Sequence, residues 1–94
     1  MNPIDKRIFY LIDLLIFEKK IDSVRQFCLE IGMLEQTISK IRKGINHFTL
    51  LQVQTICSKY NVNANWIIGT EEIIYKNKKN IKLPSEQLVN KNQY

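Results

Sequence analysis

Apolar residues recur through the first two thirds of the chain at helical spacing, and polar caps and glycines cut the pattern into five segments. In the first, roughly residues 4–19, Ile4, Ile8, Leu11, Ile12 and Leu15 fall on one stripe suited to burial. Pro3 just ahead suits a helix start. Phe9 and Ile16 form a second apolar line on this helix, and Tyr10 and Phe17 a third. One small bundle does not readily bury three faces. The surplus predicts cover by the carboxy-terminal tail or by a second copy of the chain, the alternative being that these are tolerated surface residues.

The second segment opens with Ser23 and Gln26, the spacing of a capping box, and turns Val24, Phe27, Cys28 and Ile31 inward. Gly32 supplies a left-handed stop. A third helix is predicted over 35–43, ending at Gly44, with 45–48 as a short connection. A fourth begins with a second capping-box pair, Thr49 and Gln52, and presents Leu50, Val53, Ile56, Cys57 and Tyr60 inward, with Asn61 as its left-handed cap. Asn63 caps a short fifth helix that holds Trp66, Ile67 and Ile68 and closes at Gly69. The pattern predicts a compact all-α domain of five helices over 1–69. Residues 70–94 read as a tail, partly ordered or interface-forming: 76–82 is rich in lysine and asparagine, Pro84 breaks any helix, and Ile73, Ile74 and Tyr75 suit an added strand or packing on helix one.

Composition narrows the function classes. The 94 residues suffice for one modest core, and 14 Lys plus Arg against 9 Asp plus Glu leave a formal charge of +5. That excess suits a polyanionic partner, although many lysine-rich proteins carry it without one. The apolar run 8–17 is too short to span a bilayer and holds Asp13, and nothing at the amino terminus resembles a secretion signal, so no membrane and a cytoplasmic location are expected. Cys28 and Cys57 lack metal-ligand spacing and His47 is the sole histidine, so reduced, buried thiols and no metal or other cofactor are expected. A single histidine, scattered carboxylates and the lack of a glycine-rich phosphate loop leave no constellation for catalysis, and an enzyme is not expected.

The third helix carries the distinctive chemistry. At about 100° per residue, Leu34, Ile38, Ile41 and Ile45 share the inward face, while Gln36, Lys40 and Lys43 lie opposite. Glu35 and Ser39 flank that outer face on one side and Thr37 on the other. An amide, a hydroxyl and two ammonium groups on one helix suit the major groove of double-stranded DNA: Gln pairs with adenine N6 and N7, Lys with guanine O6 and N7. Donors for flanking phosphates are Ser23 and Arg25 at the start of helix two, Lys43, and Asn46, His47 and Thr49 leading into helix four. Arg25 has the alternative of pairing with a surface carboxylate.

The stretch from about Arg7 to Glu71 resembles the phage-repressor and Cro-like helix-turn-helix family, the XRE type. The resemblance rests on FCLEIGMLEQTISKIRKG (27–44), with its small residue, glycine and Thr-Ile-Ser-x-Ile run, and on YNVNANWIIGTE (60–71), similar to the family's closing helix. It implies a lambda-repressor-like five-helix DNA-binding domain in a bacterial or phage transcriptional regulator, usually a repressor that dimerises on a palindromic site, here through helix one or the tail. By position the family's base-reading residues fall on Glu35, Gln36, Ser39 and Lys40, with Thr37 nearby. Three positions depart from the family: Leu34 stands where a capping Ser or Thr is usual, Val24 where a glutamine often braces a phosphate, and Glu35 where a glutamine is common. The alternative function is a protein-interaction module on the same fold, such as the antitoxin of a toxin–antitoxin pair.

Overall fold

The computed structural model describes residues 1–76. Five α-helices lie among them: α1 Pro3–Phe17, α2 Val24–Ile31, α3 Glu35–Arg42, α4 Leu50–Tyr60 and α5 Ala64–Ile68. Each of α1, α2, α4 and α5 starts on a polar side chain that accepts an otherwise orphaned amide: Asn2, Ser23, Thr49 and Asn63. Thr49 and Gln52 form the complete capping box. The pair expected at Ser23 is only half made. Ser23 Oγ accepts from Gln26 N at 3.2 Å, but the Gln26 side chain takes the amide of Asp22 and donates to Glu30 instead.

The left-handed stops fall at Gly32, Asn61 and Gly69, as the sequence predicts. At Gly32, φ is +81°, and both its amide and that of Met33 return to the Cys28 carbonyl at 2.9 Å. An added Cβ would meet nothing within 4 Å there, so the cost of a side chain is that of the backbone conformation, about 1–2 kcal/mol. Helix α1 ends two residues before the predicted boundary at 19. Lys19 turns left-handed at φ +62°, and the amides of Lys20 and Ile21 fold back onto the Leu15 carbonyl.

The core joins Ile8, Leu11, Ile12 and Leu15 of α1 to Phe27 and Cys28 of α2, Ile38 and Ile41 of α3, Ile56 of α4 and Ile67 of α5. Helix α1 packs on α5, α2 on both α3 and α4, and α4 on α5. The second apolar line of α1 is no surplus: Phe9 is buried against Phe48 of the α3–α4 connection, ring centroids 5.7 Å apart, and Ile16 is half-buried. The third line does face solvent, with Phe17 82% exposed.

Three residues expected inward are outside. Leu34, Ile45 and Leu50 are 68%, 66% and 85% exposed. Leu34 caps α3, Ile45 follows the left-handed Gly44, and Leu50 opens α4, so an ideal wheel no longer describes their directions.

Residues 70–76 return along the α4–α5 corner: Asn63 N donates to Ile74 O, Lys76 N donates to Asn61 O, and Val62 and Tyr75 form one isolated antiparallel bridge. Tyr75 then donates to Glu18 at 2.9 Å beside the end of α1, with the Lys20 ammonium 4.1 Å from its ring centre. The remainder of the sequence-defined tail, 77–94, lies outside the described residues. No helix among the described residues is long and apolar enough to cross a membrane.

Both cysteines are free thiols; Cys28 is buried and Cys57 half-buried. Burial pushes both above the ordinary thiol range, with Glu35 adding to the effect at Cys28, so neither is an activated thiolate.

Tyr60 stacks on Phe27 and donates to Glu30 at 2.6 Å, and burial with this bond pushes its hydroxyl above the ordinary range. Tyr75, first by burial and then by its bond to Glu18, is pushed up to about 12. A raised folded-state value stabilises fully below the unfolded value of 10.0, and that contribution is lost as pH rises toward 12. Alkaline titration at the tyrosinate absorbance band should therefore show Tyr75 ionising near pH 12, with a step that Tyr75→Phe removes; ionisation of Tyr75 near pH 10 would contradict the packing of residues 70–76.

Candidate nucleic-acid interface

Helices α2 and α3 are joined by three residues, Gly32 to Leu34, and pack on each other. Leu34 has no side-chain acceptor to give, and its carbonyl alone anchors the first turn of α3, taking Thr37 N at 3.0 Å. Helix α3 has only two buried residues, Ile38 and Ile41. Of the residues singled out for base reading, Glu35, Gln36, Ser39 and Lys40 are exposed together on this one helix, and Thr37 is half-buried on its flank. Among the described residues, none of these side chains makes a hydrogen bond or an ion pair, so the face keeps its donors and acceptors free. Glu35 sits in the first turn and Lys40 and Arg42 in the last, each at the end of the helix dipole that favours its charge.

The proposed phosphate-binding set divides into two groups. Ser23 and Arg25 stand at the start of α2: Ser23 Oγ accepts from Gln26 N, which leaves its own hydroxyl hydrogen to donate, and Arg25 is exposed with no ion pair among the described residues. Lys43 is the C-cap of α3, and Asn46, His47 and Thr49 follow it, all exposed. Thr49 Oγ1 accepts the Gln52 amide, which, as at Ser23, leaves its hydroxyl hydrogen to donate. The amino end of α4 is more apolar than expected, since Leu50 and Leu51 both face solvent beside Thr49.

His47 is not free. Its Nδ1 lies 2.7 Å from Oδ2 of Asp5, a carboxylate in the first turn of α1 that is only 1% exposed. Asp5 Oδ1 accepts the amide of Phe48 at 3.2 Å, and the Asp5 amide is itself capped by Asn2 Oδ1 at 2.7 Å. A buried carboxylate is tolerated only with such partners. Here they clamp the connection carrying Asn46, His47 and Thr49 to the start of α1. An Nδ1–H that donates to Oδ2 suits this 2.7 Å contact and leaves Nε2 for other partners.

Sequence reasoning missed Asp5, although it lies three and four residues before Ile8 and Phe9 and thus on the buried side of α1. It also missed Arg42, whose guanidinium carbon stands 4.3 Å from the centre of the Phe9 ring, a cation–π contact that fixes a third cation at the end of α3 beside Lys40 and Lys43.

Replacing Asp5 by Ala strands the buried Phe48 amide and frees the exposed His47 ring, and urea unfolding should register a loss of about 1–3 kcal/mol. Asp5→Asn retains an acceptor and should lose less; equal stability of Asp5→Ala and the parent chain would remove the clamp from the account. Compared with known proteins, the chain matches no family model, no characterised protein and no solved structure.

Proposed function

We propose that the chain is a sequence-specific DNA-binding transcriptional regulator, acting as a repressor, with a lambda-repressor-like domain that lays α3 in the major groove. One observation carries the reading: Gln36, Ser39, Lys40 and Lys43 stand exposed on a short helix set behind a three-residue glycine turn. Support comes also from the cations Arg25, Arg42 and Lys43 on either side of that face and from the formal charge of +5. Gln36 and Lys40 read base edges, Ser39 assists, and Ser23, Arg25, Lys43 and Asn46 contact phosphate. His47, exposed and held by Asp5 through Nδ1, has Nε2 left for a phosphate. Glu35 fits only where a cytosine amino group meets it.

A homodimer belongs to this reading, since two α3 helices one DNA turn apart would match a palindromic site. With Phe9 buried inside the monomer, the exposed apolar residues open to such an interface include Tyr10 and Phe17 on α1, the Leu50–Leu51 pair on α4, and Ile73. Those same residues favour the second reading, a module that grips a protein partner in the manner of an antitoxin. Sedimentation of the full chain, alone and with its selected duplex, should show a dimer at least on DNA; a monomer under both conditions would remove that part.

Selection from random duplexes at fixed salt tests the main reading. The full chain should enrich one sequence, and Gln36→Ala with Lys40→Ala should flatten the preference, each bidentate contact being worth about 1–3 kcal/mol, or about 5- to 150-fold. Lys43→Ala should weaken all sequences alike and reduce the salt slope by about one. A chain serving only a protein partner would enrich nothing, and an unchanged preference in the double variant would displace α3 from the groove.

A further inference from the structure

A cleft of about 490 Å³ opens between α1, α5 and residues 69–74, away from α3. Its volume lies within the range of about 300–1,000 Å³ usual for small-molecule sites. Two aromatic rings form one wall, Tyr10 and Trp66, with centroids 6.1 Å apart and planes tilted by 51°. Ile74 adds to the apolar surface. Arg7 lines the same cleft, as do the acidic residues Glu71 and Glu72.

The charges are the informative part. A half-buried guanidinium ordinarily closes on a nearby carboxylate, because Arg presents a fork of donors that fits one. Here Arg7 makes no ion pair or hydrogen bond among the described residues, although two acidic residues line its cleft. One of these acids is itself engaged, and the guanidinium has a fixed neighbour. Glu71 Oε1 is taken by Asn63 Nδ2 at 2.7 Å. The Arg7 head rests against the bare backbone of Gly69, where an added Cβ would stand 3.1 Å from Nη1, so any other residue there would displace it. The outcome is a cleft lined by one basic and two acidic residues beside an aromatic wall.

From this arrangement we infer that the cleft binds a free α-amino acid with an apolar side chain, in its zwitterionic form. The ligand carboxylate pairs with the Arg7 fork, its ammonium sits by Glu71 and Glu72, and its side chain covers Tyr10, Trp66 and Ile74. A purely anionic ligand would meet two carboxylates, and a purely cationic one would meet Arg7; only a ligand carrying both charges satisfies each group. The inference is independent of DNA binding and is tested without DNA.

Trp66 is the single tryptophan of the chain, which makes its emission a direct reporter. The full 94-residue protein is titrated with L-phenylalanine and L-leucine, and in parallel with N-acetyl-L-phenylalanine and phenethylamine, each of which lacks one of the two charges. Saturable emission changes with Kd of about 1 mM or below are expected for the amino acids, and at least about tenfold weaker binding for the single-charge analogues. Arg7→Gln should abolish the response. Should that variant lose its helical circular dichroism, Glu72→Gln, at an exposed position, serves instead and should weaken binding about tenfold. No saturation up to about 10 mM, equal binding of either analogue, or unaltered binding by the folded variant overturns the assignment.

Discussion

Helix α3 has eight residues, and a helix of two turns that buries one stripe must expose the other. Ile38 and Ile41 lock it to the core through α2, and no further apolar residue within it competes for burial. Every candidate contact on its outer face follows from that division. The glycine at position 32 sets the orientation, because its left-handed conformation lets the chain reverse in three residues. Had α3 been longer or apolar on both sides, a neighbouring element would have covered Gln36 and Lys40.

A surface helix held by two isoleucines still needs its surroundings fixed, and α1 does this from the other side. Asp5 ties down the connection after α3 through His47 and Phe48. Phe9, one turn later, packs on Phe48 and carries the Arg42 guanidinium on its ring. Polar clamp, aromatic pair and cation–π contact thus converge on the same few residues, 42–48, and order Arg42 at the end of α3. Removing the buried carboxylate would leave Phe48 to packing alone.

The helices and their stops were legible because they depend on local chemistry: Ser23, Thr49 and Asn63 as caps, Gly32, Asn61 and Gly69 as left-handed ends, and Ile38 with Ile41 at helical spacing. The outer face of α3 was legible for the same reason. What failed was local reasoning carried past a helix end, as at Leu34 and Ile45, or into a first turn, as at Leu50. Partners distant in sequence were invisible altogether. Nothing near Asp5 announces that its acceptors serve His47 and Phe48, and nothing near Phe9 announces that Phe48 will bury it. Gln26 illustrates a subtler limit: a capping box competes with other acceptors and donors within one turn, and Asp22 N with Glu30 won.

Helix α1 also connects the two regions of interest. Asp5 faces the α3–α4 connection, while Arg7 and Tyr10, within the next two turns, face the cleft against α5. Between them Ile8, Leu11, Ile12 and Leu15 bury the helix as a single packed rod. A ligand seated on Arg7 and Trp66 binds this packing of α1 on α5 and not a chain in which they have separated, so by mass action it stabilises the packed arrangement. The Asp5 clamp belongs to that same arrangement. Linkage then fixes the sign of any coupling: if α1 moves as one rod, a ligand that favours its packed position also favours the ordered connection after α3, and the reverse holds equally.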